Sequence, residues 1–207
     1  MITDVTGILL AGGKSRRMGE DKRFLHVGAV SLFERSLRVL RSVFQDVLVV
    51  IAQDSDPVKA EVPVVRDLVP NCGSLGGLYT GLSEAVTTYV FVVACDMPFL
   101  DPLAIQYVLE QRAEADIVMA KRGKGYQPMH ACYSKRCLPV MTTMVRSHEL
   151  KIQRIVDYPS LTVRVIGESE LTRLDPQGRS FLNINTPSDL EAARLLYAQS
   201  ADLDRSG

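Results

Sequence analysis

The sequence contains three short apolar runs that are continuous rather than alternating, at residues 8–11, 47–52 and 89–95. A strand with one solvated face alternates apolar and polar residues, whereas a strand that is covered on both faces is apolar throughout. Segments with helical patterning separate these runs. Strands and helices that alternate in this way predict an α/β fold with a mostly parallel sheet. In open sheets of this class, ligands bind beyond the carboxyl ends of the strands.

Helix-start signals divide the rest of the chain. Ser31 followed by Glu34 is a capping-box pattern that opens a helix. The apolar residues that we expect on the buried face of this helix are Phe33, Leu37, Leu40 and Phe44. We also expect strands at 62–65 and 115–120 and a helix at 75–86. Asp101 caps a further helix with Pro102 at its first position. A last helix should open at Thr186 and end near Ala198.

Composition limits the class of protein. The chain has 207 residues, 46% of them hydrophobic, which suits one three-layer, Rossmann-like domain over residues 1–199 with a polar, disordered tail at 200–207. Lys and Arg number 24, as do Asp and Glu, which argues against a nucleic-acid or membrane-surface protein. The N-terminus has no basic region followed by a long apolar run, so we expect no signal peptide and a cytoplasmic location.

The cysteines and histidines do not form a recognisable metal or catalytic pattern. No C-x-x-C pair occurs, and the spacing of His130, Cys132 and Cys137 fits no common zinc site. Reduced, partly buried thiols are therefore the favoured interpretation for the cysteines. None of the histidines adjoins an obvious nucleophile, so we expect surface or hydrogen-bonded residues rather than catalytic bases at His26, His130 and His148.

A glycine-rich loop follows the first apolar run. Its glycines are Gly12, Gly13 and Gly19, and its nearby cations are Lys14, Arg16, Arg17, Lys22 and Arg23. Glycine lets backbone N–H groups turn toward an anion, and Lys and Arg add matching positive charge. The loop thus predicts a triphosphate site. The alternative, a solvated surface turn, is less favoured because a buried strand leads directly into the loop. Any of Lys14, Arg16 and Arg17 could contact phosphate.

Two familiar phosphate-binding motifs do not fit this loop. A Walker A motif requires glycine five positions before the glycine of its Gly-Lys pair, and Ile8 stands there. The dinucleotide pattern G-x-G-x-x-G fails because Gly12 and Gly13 are adjacent. The spacing therefore argues against a P-loop kinase and against a Rossmann dehydrogenase.

Two aspartates follow predicted strands at the same edge of the sheet. Asp96 ends the strongest apolar run, where a carboxylate could bind a magnesium ion that bridges nucleotide phosphates. Its alternative role is a turn or helix cap. Asp67 follows the strand at 62–65, and a functional role and a loop-capping role are equally compatible with its position.

Two further segments have open interpretations. The glycine-rich turn at 71–78 could let a flat base lie against the backbone, or it could be a tight helix entry. Asn183 and Asn185 would share one face of a strand and offer two amides to a polar ligand. They could equally belong to an Asn-rich turn before a capped helix.

Several of these motifs together resemble those of the molybdenum cofactor guanylyltransferases, within the wider sugar-phosphate and cofactor nucleotidyltransferases. Residues 10–22 read LAGGKSRRMGEDK and resemble the family signature. Residues 92–98, 73–78 and 183–187 resemble its metal-binding strand end, base-binding turn and C-terminal motif. The resemblance covers nearly the whole chain and implies the fold of the nucleotide-diphospho-sugar transferases.

The resemblance also implies roles for individual residues. The nucleotide would contact the backbone of Leu10, Ala11, Gly12 and Gly13, with Lys22 and Arg16 on the phosphates and Mg²⁺ on Asp96. Asp67, Gln53 and Gly73 would lie at the guanine nucleotide, although Gln53 stands where the family often has Asn. The turn reads Cys-Gly-Ser at 72–74, where the family often has Pro-Gly-Pro. Asn183 and Asn185 would face the pterin.

The implied reaction transfers GMP from GTP to the terminal phosphate of a molybdopterin-type cofactor and releases pyrophosphate. Cofactor-delivery proteins and acceptor molybdoenzymes are the implied protein partners. Relatives that use CTP or a sugar phosphate usually have Ala-Ala-Gly where this chain has Ala11-Gly12-Gly13, which favours GTP. A nucleotide-binding regulatory module without catalysis is the alternative from another class, and the combination of Lys22, Asp67 and Asp96 argues against it.

Overall fold

In the computed structural model, which describes residues 1–12 and 21–205, a seven-stranded sheet has strand order β5-β4-β1-β6-β8-β7-β9. The strands, in chain order, are β1 (Ile2–Leu10), β2 (His26–Val27), β3 (Val30–Ser31), β4 (Phe44–Ile51), β5 (Val64–Arg66), β6 (Tyr89–Ala94), β7 (Ile117–Arg122), β8 (Gly125–Ser134) and β9 (Val163–Ile166). Within the large sheet β8 runs antiparallel to β6 and β7, and the other pairings are parallel. Strands β2 and β3 form a separate hairpin.

Helices cover both faces of the sheet, which confirms the predicted three-layer α/β class. They are α1 (Leu32–Val43), α2 (Gly73–Glu84), α3 (Pro102–Glu110), α4 (Leu138–Arg146), α5 (Glu168–Leu174) and α6 (Pro187–Arg205). Apolar residues of α1, α3 and α5 form one core with the sheet, and those of α2 and α4 form the other. A third, smaller cluster joins α6 to the β2–β3 hairpin.

The first helix starts as predicted but ends earlier. Ser31 accepts the backbone N–H of Glu34 and completes the capping box. Phe44, which we expected on the buried face of this helix, instead begins β4, and its ring stacks on that of Phe91 at 6.0 Å between centroids. The helical spacing was misleading here because Phe44 begins the strand that continues into the apolar, β-branched run at 47–51, and this strand pairs with β1.

Other boundaries shift by a few residues, and some elements lack a clear signal in the sequence. The strand expected at 115–120 is β7, and α6 continues to Arg205, past its predicted end near Ala198. The strand β8 and the helix α4 were not predicted. The first half of β8 is only half-buried and mixes polar, aromatic and Pro residues, so it shows neither a continuous nor a cleanly alternating pattern.

Two further findings concern the cysteines and the helices. All four cysteines are buried free thiols. Among the described residues, no helix combines the length and the apolar character that crossing a bilayer requires.

Candidate active site

A cleft of about 610 Å³ opens at the carboxyl ends of β1, β4 and β6. Eight of the predicted site residues line this cleft: Leu10, Ala11, Gly12, Lys22, Gln53, Asp67, Gly73 and Asp96. Gly13 and Arg16, which were also predicted, lie outside the described residues. The cleft is large enough for a nucleotide, since small-molecule sites usually occupy about 300–1,000 Å³.

The end of β1 forms the floor of the cleft. The N–H of Ala11 donates to Val50 of β4 at 2.8 Å, and the carbonyl of Leu10 accepts the N–H of Cys95 at 3.1 Å. A Cβ at Gly12 would lie 2.7 Å from the backbone nitrogen of Ala52. Only glycine allows this approach, so the backbone at Gly12 lies directly against the end of β4.

A partly buried ion pair between Arg23 and Asp21 fixes the chain immediately around Lys22. Lys22–Phe24 form a short 3-10 helix whose cap is Asp21. The Arg23 side chain is 6% exposed, and its Nε donates to both carboxylate oxygens of Asp21, at 3.0 and 2.8 Å. Its Nη1 donates to the carbonyl of Asp56 at 2.9 Å. These bonds tie the segment that carries Lys22 to the loop after β4.

Lys22 joins two predicted site residues from distant parts of the chain. Its Nζ donates to Asp96 Oδ2 at 3.2 Å and to Asn185 Oδ1 at 2.9 Å. The side chains of Lys22 and Asp96 are 18% and 20% exposed. Burial raises the pKa of Asp96 above its ordinary value, and the charge and hydrogen bond of Lys22 oppose that rise. A cation and a carboxylate thus meet beside the end of β1 in the cleft.

Asp67 is buried, and its carboxylate accepts hydrogen bonds from its own loop and from α2. Its Oδ1 accepts the N–H of Val69 at 2.9 Å and the hydroxyl of Thr80 at 3.0 Å. Thr80 also accepts the N–H of Leu68 at 2.9 Å. Asp67 therefore has the loop-capping role that the sequence left open, and it lines the cleft as well. Thr80 was missed because a single Thr within a helix carries no sequence signal of this kind.

The second glycine-rich turn lies on the wall of the cleft next to Asp67. Asn71 and Gly73 both adopt positive φ, at 66° and 55°. A Cβ at Gly76 would lie 2.6 Å from the carbonyl oxygen of Val69 and 2.8 Å from Asp67 Oδ2. The turn is thus the tight helix entry that the sequence allowed, and it forms part of the cleft surface. That a base lies against its backbone stays a prediction.

Gln53 lies in an exposed turn whose backbone carbonyls accept hydrogen bonds from Arg66, a residue that the sequence analysis did not single out. Nη1 of Arg66, at the end of β5, donates to the carbonyls of Ala52, Gln53 and Ser55 at 3.2, 2.7 and 3.0 Å. The position of Arg66 at the carboxyl end of a strand was the available signal. These bonds fix the backbone of the turn where it borders the cleft.

The C-terminal motif is an irregular segment rather than a strand. The alternative of a turn before a capped helix is therefore the correct one, and the expectation of two amides on one strand face is wrong. Asn185 reaches Lys22, whereas the Nδ2 of Asn183 donates to the carbonyl of Phe181 at 3.4 Å. The N–H of Ile184 donates to the carbonyl of Asp96 at 2.9 Å, which attaches this segment to the end of β6.

His130 differs from its sequence expectation. It is fully buried, its ring contacts those of Phe91 and Phe181, and neither ring nitrogen has a hydrogen-bond partner among the described residues. Burial lowers the pKa of His130 to about 4. The expected surface or hydrogen-bonded histidine is thus wrong here, because His130 pairs with Val93 in the middle of the sheet. It lies in the core.

Comparison with known proteins shows the family of this chain. A family model described as a MobA-like NTP transferase domain matches residues 7–163. A relative from Pelotomaculum thermopropionicum, named "Probable molybdenum cofactor guanylyltransferase", is 37% identical over 94% of each chain. The molybdenum cofactor guanylyltransferase of Desulfosudis oleivorans is 36% identical over 91% of this chain and 94% of its own.

A solved structure shows the same fold. Molybdopterin-guanine dinucleotide biosynthesis protein A from Archaeoglobus fulgidus has a TM-score of 0.83 and 24% identity, covering 94% of this chain and 100% of that one. The family model spans more than half of the chain, and the relatives exceed 30% identity over nearly its full length. The chain therefore belongs to the MobA-like NTP transferase family, in the branch of the molybdenum cofactor guanylyltransferases.

Proposed function

We propose that this protein transfers GMP from GTP to the terminal phosphate of a molybdopterin-type cofactor and releases pyrophosphate. The observation that carries the proposal is the contact between Lys22 and Asp96 at the floor of a nucleotide-sized cleft. The names of the relatives at 36% and 37% identity support guanine over cytosine. The turn between Asn71 and Gly77 supports a nucleotide base beside the backbone.

The reaction needs no nucleophile from the protein. An oxygen of the acceptor phosphate forms a bond to the α-phosphorus of GTP, and the bond from that phosphorus to the oxygen bridging to the β-phosphorus breaks. The electron pair leaves with pyrophosphate. Because the acceptor oxygen is already anionic, catalysis consists of alignment and charge neutralisation.

Lys22 would neutralise negative charge on the transferring phosphate, and the backbone of Leu10, Ala11 and Gly12 would align the triphosphate. Gly13 and Arg16 belong to the proposal as backbone and side-chain contacts to the phosphates. On the other side, Gln53, Asp67 and Gly73 would border the guanosine. Asn183 and Asn185 would border the acceptor.

The carboxylate of Asp96 suits a magnesium ion. Magnesium usually takes one or two carboxylates, substrate phosphate oxygens and water rather than a complete protein cage. Asp96 offers a hard oxygen donor at the edge of the cleft. The bound ion would supply neutralisation of the charge on the phosphates. Lys22 would exchange its contact with Asp96 for phosphate oxygens when the nucleotide binds.

The cellular setting is also a proposal. We place the protein in the cytoplasm, where cofactor-delivery proteins would present the molybdopterin and acceptor molybdoenzymes would receive the product. Pull-down of a molybdoenzyme apoprotein from cytosol, with this protein as the bait, would test the proposed contact with the acceptor molybdoenzyme.

Two measurements test the function itself. A thermal-shift screen with ATP, CTP, GTP and UTP plus Mg²⁺ should give the largest stabilisation with GTP, because a ligand that binds only the native state raises its stability. Pyrophosphate release should then require both GTP and the molybdopterin cofactor. A larger effect with CTP would contradict the guanine assignment, and GTP binding without pyrophosphate release would indicate a binding module.

A further inference from the structure

Asp189 holds two consecutive backbone N–H groups just before α6. Its Oδ2 accepts the N–H of Asn185 at 2.9 Å and that of Thr186 at 2.8 Å. In return, the hydroxyl of Thr186 accepts the N–H of Asp189 at 3.2 Å. Thr186 and Asp189 thus form the two halves of a capping box at the start of the helix.

The capping box of α1 provides a direct comparison. There Glu34 occupies the same third helical position and accepts the N–H of Ser31 at 3.0 Å. Glu34 caps the start of its own helix and accepts no N–H from the residue before the cap. Asp189 closes its helix and also binds the residue before the cap, Asn185, whose side-chain oxygen accepts the Lys22 ammonium.

The segment that carries Asn185 is therefore fixed on both sides. Before it, the N–H of Ile184 donates to the carbonyl of Asp96. At Asn185 itself and at Thr186, the backbone donates to Asp189. Asn185 is exposed, so packing does not hold its carboxamide in place. Backbone hydrogen bonds are what direct that carboxamide toward Lys22.

The electrostatics of Asp189 agree with this arrangement. The N–H of Asn185 is the largest influence that lowers the pKa of Asp189, followed by the bonds with Thr186. The positive charge of Lys22 lowers the pKa further. Asp189 thus stays ionised at neutral pH, and its carboxylate accepts both N–H groups.

We propose that Asp189 is a positioning residue of the transfer reaction: by holding the backbone of Asn185, it sets the carboxamide that orients the Lys22 ammonium. This inference rests on the proposed function. Asp189 acts only through Asn185 and Lys22 and does not itself touch substrate. The kinetic consequence should fall on kcat, since Lys22 acts on charge that develops during transfer.

The experiment compares Asp189→Ala, Asp189→Asn and the matched cap variant Glu34→Ala. Asp189→Ala should lower kcat about tenfold, as loss of a supporting residue commonly does, with little change in the KM for GTP. Asp189→Asn should restore most of the activity because its amide oxygen can accept the same N–H groups. Glu34→Ala should lower the melting temperature about as much as Asp189→Ala and leave kcat unchanged.

A double-mutant cycle separates positioning from a general loss of stability. In an Asn185→Ala background, Asp189→Ala should cause almost no further loss of kcat, because the route to Lys22 is already broken. Equal losses in both backgrounds would overturn the proposal. So would an Asp189→Ala enzyme with wild-type kcat.

A structural measurement distinguishes a failure of the inference from a failure of the proposed function. In a crystal structure of the Asp189→Ala protein, the hydrogen bond from Lys22 Nζ to Asn185 Oδ1 should be broken, and in Glu34→Ala it should persist. An intact hydrogen bond in Asp189→Ala would overturn the inference even if the wild type made no product. Conversely, a broken hydrogen bond in Asp189→Ala together with an inactive wild type would support the positioning and contradict only the function.

Discussion

Lys22 and Asp96 are 74 residues apart in the sequence, and their side chains meet with 3.2 Å between Nζ and Oδ2. Both are about four-fifths buried. Burial alone would favour a protonated Asp96, and Lys22 opposes that tendency. The lysine therefore helps to keep the carboxylate charged in the absence of a metal ion, in addition to the phosphate contact that we propose for it.

Replacement of Lys22 by Ala should lower kcat by about 10²–10³-fold, the loss that follows removal of one charge-stabilising group. The pKa of Asp96 should rise further, since burial would be left without its main opposing influence. Steady-state pyrophosphate release measures the first effect. Lys59→Ala, at an exposed position in the loop after β4, is the control and should match wild type. Activity in Lys22→Ala equal to that of the control would contradict the role.

Gly76→Ala should destabilise the protein by about 1–3 kcal/mol, because its Cβ would meet the Val69 carbonyl and the Asp67 carboxylate. Gly77→Ala is the matched control in the same helix, and its Cβ would meet only the flexible end of Leu10, at 3.3 Å. Both substitutions gain the same helix propensity. Urea unfolding of the two variants measures the difference. Equal free energies of unfolding for the two variants would show that the loop carrying Asp67 and Val69 moves away from the new Cβ at little cost, which would contradict the prediction.

Arg23→Ala should cost about 2 kcal/mol of stability, since it leaves the Asp21 carboxylate without its partner in a half-buried place. The exposed pair of Arg41 and Glu61 provides the comparison. Arg41→Ala should change stability by less than about 0.5 kcal/mol. The free energy of unfolding from urea titration checks both. A cost for Arg23→Ala as small as that for Arg41→Ala would mean that solvent reaches the Asp21 carboxylate freely.

His130 should make the protein sensitive to mild acid. Its pKa falls from 6.5 to about 4 on burial, so the native protein keeps the ring neutral while the unfolded chain protonates. The associated stability is fully present above pH 6.5 and declines as the pH falls toward 4, by about 3 kcal/mol in total.

The matching measurement is the urea midpoint at pH 7 and at about pH 4.5, a value inside the window in which only the unfolded chain is protonated. His130→Leu should reduce the difference between the two midpoints. His26→Gln, at an exposed position, should leave that difference as in wild type. An unchanged pH dependence in His130→Leu would show that other groups cause the acid sensitivity.

The sequence places Gly12 and Asp96 at the cleft correctly because the signals for these positions are local. Gly12 and Asp96 each closely follow a buried strand, and parallel strands bring their carboxyl ends to one edge. The capping signals at Ser31 and Asp101 are equally local and are confirmed. Patterns of a few residues with a clear physical cause need no knowledge of the rest of the chain.

Relationships between distant residues could not be predicted in this way. No sequence pattern connects Lys22 with Asn185, and none connects Ile184 with the carbonyl of Asp96 to which its N–H donates. The burial of His130 follows from the pairing of β8 with β6. The sequence pattern of β8 does not predict a strand, so this burial could not be predicted either. From its sequence position alone, His130 is expected to form a hydrogen bond with water or with a neighbouring group. In the structure it is buried within the sheet and has no hydrogen-bond partner among the described residues.

Lys22, Asp96 and Asn185 belong to early, middle and late parts of the chain, and the bond from Lys22 to Asn185 spans 163 residues. During synthesis, the ribosome releases the first and middle parts long before the last. A nascent chain can thus form the end of β1 and the end of β6 before Asn185, which accepts the hydrogen bond of its lysine, has been synthesised. Competence for transfer should arise only when the final segment docks, which makes catalytic activity a measure of completed folding.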